Sequence, residues 1–439
     1  MKGIRKFREG AASFYIVAFS TLILVVIAAS FAMTVIAEVA RTSNDELSQS
    51  AYDSALAGVE DAKLAYSNYQ RCIKKGATAT SPNGDGNVTC GEIIWWMQHP
   101  DCYMVGHILG RIGESEQNEV AIGEKVSGQM DRQMNQAYTC VKINETLSDY
   151  RTTLTSSTQI RIVKASFAGG ISASDIKAIR FSWYSNRPDV STHYTNIYNG
   201  RVVFRSPLEV TYATPPVMEL QIVQTANTFN ISDFDKTIGN NTDRATVFLV
   251  PSNDANIAAT SNDYQVGAWN YSKNTISADS VAKTNDHTTT NKPFAVYCNS
   301  SGTGDFACST EINLPSPIGG TRNNDTFMIL VALPYGQPDT DFAVEFICNN
   351  ASVCPATTHS DASTTAGEAG ITGSQISIDS TGRANDLYRR VETRLETNET
   401  SIAFPYYAVQ ALGGGSGNNA PITKQLTVTY ENRNGGLYR

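Results

Sequence analysis

The sequence is poor in charged side chains and has little positive charge. Charged residues make up 17% of its 439 residues, and 34 Lys and Arg stand against 42 Asp and Glu. The net charge is −8, and the basic residues form no cluster beyond the first ten positions. Domains that bind nucleic acid carry a basic patch on their surface. The composition therefore argues against a nucleic-acid-binding function.

The sequence also lacks the short motifs of common enzyme classes. It contains no nucleophile elbow, no phosphate-binding loop and no dinucleotide-binding fingerprint. A secreted hydrolase on an anchor would have to assemble its catalytic triad from distant histidines. These are His99, His107, His193, His287 and His359. We therefore expect no enzymatic activity.

Charge is absent altogether between Ala11 and Ala37. About 20 apolar residues cross a hydrocarbon layer roughly 30 Å thick, so this segment is long enough to span a membrane. The apolar part of a cleaved signal peptide has only about 7–15 residues, which favours a retained helix. The residues before it include Lys2, Arg5 and Lys6, and this excess of positive charge predicts a cytoplasmic amino terminus.

A helical pattern continues beyond the apolar segment as far as Tyr66. Its small residues recur every three or four positions, which predicts a narrow face suited to close packing on a sheet. We expect one rod from Ala11 to Tyr66 of about 84 Å. The polar cluster at 42–45 is expected to loosen it. The packing face consists of Ala51, Ala55, Gly58, Val59 and Ala62.

The order of a basic leader, an apolar helix and an amphipathic continuation resembles that of type IV pilins. The segments REGAASFYIVAF at 8–19 and QSAYDSALAGVE at 49–60 are similar to PilX-type minor pilins. The resemblance covers about 5–65 and extends to a carboxy-terminal hairpin at 375–396. It implies that a prepilin peptidase cuts between Gly10 and Ala11 and that the mature chain joins other pilin subunits in an extracellular filament.

One position departs from this resemblance. Most pilins have a glutamate as the fifth mature residue, where this chain has Tyr15. The departure implies a minor or tip subunit that contributes to assembly and to adhesion on a surface or host cell, rather than an ordinary shaft subunit. The alternative is a membrane-anchored adhesin or binding protein that never enters a filament.

Eight cysteines all follow the apolar segment, which is typical of disulfides in an oxidising compartment. The last four predict two local bonds, Cys298–Cys308 and Cys348–Cys354. The first four allow three different pairings, and the sequence does not select one. They are Cys72, Cys90, Cys102 and Cys140.

The rest of the chain reads as mostly β-structure. Alternating apolar and polar residues predict strands near 138–143, 158–163, 178–184, 217–223, 246–250, 327–333 and 342–347. A hairpin with its turn at Gly382 follows, and a last strand is expected at 425–430, after a glycine-rich break. Residues 106–138 are polar and read as weakly helical, with no proline at 116–136.

These patterns predict an α+β fold, with a long helix packed on an antiparallel sheet and an inserted β-rich region held by disulfides. We expect a leader at 1–10, a helix at 11–70 (membrane-spanning at 11–37) and a cysteine-containing αβ region at 71–140. A β-rich ectodomain at 141–439 would carry the insertion, at about 227–375. We expect the strands at 137–225 to form the sheet under the helix.

One loop follows the spacing of a calcium-binding loop, with oxygen ligands at alternate positions and a closing glutamate. A serine replaces the usual first aspartate, so an Asn-Gly and Asp-Gly turn is the alternative interpretation. A zinc site at Cys90, His99, Cys102 and His107 matches no structural zinc spacing. The calcium ligands would be Asn83, Asp85, Asn87, Thr89 and Glu92.

Overall fold

We describe a computed structural model of the protein. The described residues are 7–83, 87–111, 119–122, 125–126, 129–130, 135–155, 160–172, 175–185, 197–198, 201–202, 215–225, 237–238, 241–242, 244–252, 265–266, 268–270, 273–276, 293–298, 305–314, 326–334, 339–349, 354 and 367–397. The expected strand at 425–430, the glycine-rich break before it and Asp85 lie outside them.

The described part of the chain contains three helices and 23 strands. The helices are α1 (Phe7–Lys74), α2 (Cys90–Gln98) and α3 (Met104–Ile108). The first twelve strands are β1 (Val120–Ala121), β2 (Lys125–Val126), β3 (Gln129–Met130), β4 (Gln136–Asn144), β5 (Asp149–Leu154), β6 (Ile160–Phe167), β7 (Ile176–Ser185), β8 (Ile197–Tyr198), β9 (Arg201–Val202), β10 (Met218–Thr225), β11 (Thr237–Ile238) and β12 (Asn241–Thr242). The others are β13 (Arg244–Ser252), β14 (Gln265–Val266), β15 (Ala268–Asn270), β16 (Lys273–Ile276), β17 (Phe294–Tyr297), β18 (Phe306–Asn313), β19 (Thr326–Ala332), β20 (Thr340–Cys348), β21 (Ile371–Thr372), β22 (Gln375–Ala384) and β23 (Leu387–Glu396).

Helix α1 is unbroken over 68 residues, or about 100 Å. The expected loosening at 42–45 was wrong. Thr42 Oγ1 donates a hydrogen bond of 2.9 Å to the Glu38 carbonyl, one turn back. The hydroxyl is therefore satisfied within the helix, where it shares the Glu38 carbonyl with the backbone N–H of its own residue, and the helix continues through this position.

The carboxy-terminal half of α1 lies on a four-stranded antiparallel sheet of order β1-β4-β22-β23. Strands β22 and β23 form a hairpin, and β22 also pairs with β4. Helices α2 and α3 complete this core with Ile94, Met97, Met104 and Val105, all buried. We call the four strands the helix-bearing sheet.

Most of the other strands form a β-sandwich of two mixed sheets. One sheet has the order β15-β16-β18-β7-β20-β5, and the other has the order β14-β17-β13-β10-β19-β6-β21. Three pairs are parallel, namely β13–β17, β14–β17 and β16–β18. The sheets share one core, in which Phe181 and Phe342 of the first and Leu220 and Ile329 of the second are fully buried. With the long helix, the architecture is α+β.

The sandwich lies between β4 and β22 in the chain, which changes two expectations. Of the strands at 137–225, only β4 contacts α1 extensively. Strands β5, β6, β7 and β10 belong to the sandwich, and β8 and β9 form a separate pair. The prediction that the strands at 137–225 form the sheet under the helix was therefore wrong. Sandwich strands begin at Asp149, well before residue 227, where the insertion was expected to start. Periodicity shows that a strand has a buried face, but it does not show which partner covers that face.

Two local predictions were also wrong. The hairpin turns at Asn385 and Asp386, where Asn385 has a φ of 51°, and Gly382 lies inside β22. An asparagine tolerates this left-handed conformation better than most residues. In the polar segment at 106–138, the described residues beyond the end of α3 contribute the short strands β1, β2 and β3 and the start of β4 rather than a helix.

Candidate functional site: the amino-terminal helix and its sheet

The amino-terminal half of α1 presents apolar side chains to solvent. All side chains from Phe14 to Glu46 are exposed, and Leu24 and Ile36 are 65% and 69% exposed. Each large apolar side chain that stays in water loses about 1.5–3 kcal/mol of the stabilisation that its burial would provide. Among the described residues, this helix alone is long and apolar enough to cross a membrane. Such a helix is typical of a membrane anchor or a signal sequence.

The residues expected at the cleavage and assembly positions lie at the start of this half. The backbone is helical through Gly10 and Ala11. Tyr15 is 72% exposed, and its ring meets that of Phe14 edge-on, with 6.2 Å between centroids. No other described element covers this part of the helix.

The carboxy-terminal half of α1 is buried along one stripe. Ala51, Ala55 and Ala62 have no exposed surface, and Val59 is 4% exposed. The neighbouring Tyr52 and Leu56 are exposed, so the buried stripe is narrow. Small side chains bring the helix backbone close to the helix-bearing sheet.

Two glycines mark the closest approach between helix and sheet. A Cβ on Gly58 would overlap Ser380 Oγ and lie 2.8 Å from Val141 Cγ2. A Cβ on Gly382 would overlap the backbone of Ala51 and Ala55. Ser380 uses this proximity to donate a hydrogen bond of 2.7 Å to the Ala55 carbonyl. Helix α1 and strand β22 therefore contact each other backbone to backbone.

Polar side chains also fix the helix on the sheet, at Asp61 and at Tyr69. The Tyr138 hydroxyl donates a bond of 2.9 Å to Asp61, which Arg111 also contacts. Burial and the adjacent Asp61 carboxylate raise the pKa of Tyr138. Near the end of α1, Tyr69 is in hydrogen-bonding contact with Glu145, and burial raises the pKa of that carboxyl group. These contacts set the position of the helix along the sheet.

Four disulfides connect segments of the described part of the chain. Both local bonds predicted from the sequence, Cys298–Cys308 and Cys348–Cys354, are present. The first four cysteines pair as Cys72–Cys90 and Cys102–Cys140. These two bonds tie the end of α1 to α2, and the residues before α3 to β4. Such bonds are typical of a portion of a protein outside the cytoplasm.

The loop considered for calcium ends in a helix cap. Glu92 accepts backbone hydrogen bonds of 2.9 Å from Asn83 and from Thr89, and the Thr89 hydroxyl accepts one from the Glu92 amide. These donors lower the pKa of Glu92. The arrangement is a capping box, which accounts for Glu92 without a cation. Asn87 lies in the same loop, and Asp85 falls outside the described residues.

The two cysteines of the zinc alternative are not free to bind a metal. Cys90 and Cys102 are in disulfides, and no group of three or more metal-ligating residues occurs among the described positions. The two histidines instead stack on tryptophans: His99 on Trp95 at 4.2 Å and His107 on Trp96 at 4.1 Å between centroids.

Sequence reasoning missed Gly382 and Ser380. An isolated glycine inside an alternating strand pattern signals a bulge or a close backbone approach, so the signal for Gly382 was present. Ser380 gave no comparable signal, because a serine in a strand usually faces solvent.

Comparisons with models of known protein families, with curated proteins and with solved structures found no match.

Proposed function

We propose that this chain is a minor or tip subunit of a type IV pilus-like filament, of the kind that its amino-terminal sequence resembles. One observation carries the proposal: a single helix combines a fully exposed apolar half with a half that is buried on its own domain. The exposed half requires an apolar environment. A membrane provides one before assembly, and a bundle of equivalent helices provides one afterwards.

The geometry of the helix supports this use. From Ala37 to Glu46 the helix continues for about 15 Å as an exposed stalk before it meets the sheet at Ser48 and Ser50. The stalk keeps the ectodomain clear of the lipid and leaves the apolar half accessible to neighbouring helices. The disulfides and the helix-bearing sheet hold the other half rigidly, so that forces on the ectodomain pass to the helix.

The ectodomain would supply the adhesive role. In the sequence, Asn-, Ser- and Thr-rich segments lie between about 227 and 375, far from the membrane segment, and the four disulfides suit an exposed environment. Prepilin peptidase and other pilin subunits are the implied partners.

The test is the fate of the amino terminus in the producing cells. We expect the mature chain to begin at Ala11 and to be present in purified filaments. Gly10→Val should leave the leader attached and remove the chain from filaments, whereas Gly3→Val, in the same leader, should not. A chain that keeps Met1 and stays in the membrane fraction, with none in the filaments, would instead favour the anchored adhesin.

A further inference from the structure

The described part of the chain has two separate apolar cores. The core of the sandwich and the core between α1 and the helix-bearing sheet have no buried residue in common. Among the described elements, no strand of the helix-bearing sheet packs extensively on a strand of the sandwich. Within one chain, relative motion of two such bodies is the usual behaviour unless a large apolar interface joins them. The sandwich is therefore held in place by its chain connections and by polar contacts.

The chain connections are two short segments that lie side by side. Residues 145–148 lead from β4 into β5, and residues 373–374 lead from β21 into β22. Beside them, the Leu147 and Ile371 amides each donate to the carbonyl of the other residue, at 3.0 and 2.7 Å. Gly373 has a φ of 77°, a left-handed conformation that suits glycine. Since both connections cross at one place, we call residues 145–148 and 373–374 the hinge.

An ion pair joins the end of β23 to the sandwich. Arg394 Nη1 lies 2.9 Å from the Asp149 carboxylate and also donates to the Asp149 carbonyl at 3.1 Å. Asp149, on β5, is 4% exposed, and Arg151 contacts the same carboxylate. The Asp149 charge therefore keeps one partner within the sandwich when Arg394 moves away.

Glu396 adds further contacts between the same two parts. Its Oε1 accepts hydrogen bonds from the Tyr150 hydroxyl at 3.2 Å and from the Thr152 hydroxyl at 3.0 Å. Arg161 Nη1 lies 3.9 Å from its Oε2. All three partners belong to β5 or β6 of the sandwich. The last two charged side chains of β23 thus both bind across the boundary.

Gln375, at the start of β22, binds the sandwich backbone. Its side-chain amide accepts from the Arg151 amide nitrogen at 3.1 Å and donates to the Arg151 carbonyl oxygen at 2.5 Å. We call the contacts of Gln375, Arg394 and Glu396 with β5 and β6 the latch. Every one of them is a hydrogen bond or an ion pair.

The chemistry of the latch differs from that of the two cores. When hydrogen bonds and ion pairs open, water replaces most of the interaction, so their net contribution is modest. Opening an apolar core instead exposes apolar surface to water, which is the dominant cost in unfolding. The latch contacts should therefore open more readily than either core.

From these observations we propose that the sandwich pivots on the hinge and that the latch holds it closed. When the latch opens, the sandwich swings as a unit while both cores stay folded. This inference goes beyond the proposed assembly through α1, because it concerns the ectodomain alone and does not require a filament. The competing interpretation is a single cooperative body, in which loosening the latch would loosen the strands on both sides of it.

The test removes the two charged latch side chains of β23 in the full chain, held in detergent. The variant carries Arg394→Ala together with Glu396→Ala. Arg390→Ala with Glu392→Ala is the matched control, because it removes the same residue types from the same strand. The Arg390 contact with Asp379 lies within the helix-bearing sheet. If the latch variant does not fold, Arg394→Gln alone is measured in its place.

The first measurement is a distance across the hinge by pulsed electron paramagnetic resonance. Spin labels are attached to p-acetylphenylalanine at Tyr52 of α1 and Phe248 of β13, which are 42% and 39% exposed. This chemistry leaves the disulfides untouched. We expect one narrow distance distribution for the parent and the control, and a broad one for the latch variant.

The second measurement is amide hydrogen exchange. The Arg151 amide bonds across the latch, so its exchange should be at least about tenfold faster in the latch variant. Amides within β4 and β7 should exchange as in the parent. Three results would overturn the proposal: a distance distribution that stays narrow in the latch variant, equal broadening in the control, or faster exchange throughout β4 and β7.

Discussion

Gly382 of β22 lies directly against the backbone of Ala51 in α1, with no room for a side chain between them. This contact, together with the Ser380–Ala55 hydrogen bond, lets a long helix rest on a sheet through backbone atoms. It defines where the exposed half of the helix ends and the buried half begins. The first prediction follows from it.

Gly382→Ala should destabilise the ectodomain by roughly 1–3 kcal/mol or more, because the new methyl group overlaps backbone atoms that cannot rotate away. Gly58→Ala should be milder. The alanine improves the helix propensity by about 1 kcal/mol, and this offsets part of the cost of its overlap with the Ser380 side chain. Urea unfolding followed by circular dichroism measures both. Thr381→Ala, on the other face of β22, is the matched control, and equal losses at 381 and 382 would contradict the interpretation.

Glu145 gives a prediction about pH. Burial raises its pKa in the folded protein above the value in the unfolded chain. The folded state therefore holds the proton more tightly, and the stability that this provides is present below the unfolded pKa and lost as pH rises through the folded pKa. Glu145→Gln should be more stable than the parent at pH 7 and should lose part of the pH dependence above the unfolded pKa of a glutamate, near pH 4.

Urea titrations of both proteins across this range provide the measurement. Glu46→Gln, the same change at an exposed position of α1, serves as the matched substitution control. If stability depends on pH in the same way in the parent and in Glu145→Gln, the pKa of this carboxyl group does not differ between the folded and unfolded states, and the prediction is wrong.

The disulfides should contribute unequally. Cys102–Cys140 spans 38 residues, and Cys348–Cys354 spans six. Since a longer closed loop restricts the unfolded chain more, removing the first bond should cost roughly 4 kcal/mol and the second roughly 2 kcal/mol. Paired Cys→Ala variants of each bond, compared by urea unfolding, measure this difference. A larger loss from the short loop would point to effects in the folded state instead.

Arg180 compensates two carboxylates within the sandwich. It contacts Glu345 at 2.7 Å and Glu368 at 3.0 Å, and all three side chains are less than 20% exposed. Removing one partner of a buried ion pair leaves the other charges without compensation. Arg180→Leu should therefore cost about 3–5 kcal/mol, as measured by urea unfolding.

The control for Arg180 is Arg390, whose side chain is 66% exposed in its pair with Asp379. Arg390→Leu should produce little measurable change, because water screens exposed pairs. Similar effects at the two positions would show that burial does not determine the strength of the Arg180 contacts.

Much of the helix and of the strand pattern could be predicted, because these depend on local periodicity. The small-residue face of α1 and most strand positions agree with the structure to within a few residues. The assignment of strands to sheets could not be predicted. The strands at 160–167 and at 137–144 both alternate, yet the first lies in the sandwich and the second under the helix.

Gly382 shows the limit of local reasoning in one residue. A glycine near the middle of a predicted hairpin suits a turn, and the turn was placed there. The chain instead turns at Asn385, and the glycine makes room for a helix more than 300 residues earlier in the chain. Only the contact across the fold distinguishes the two roles.

The sequence by itself determined the apolar segment, its continuation as a helix with a small-residue face, and the two local disulfides. Each depends on residues close together in the chain. Tertiary structure alone decided which sheet receives the helix and how the first four cysteines pair. These depend on contacts between distant segments. An apolar face in the sequence shows that some element must cover it, but it does not show which element does.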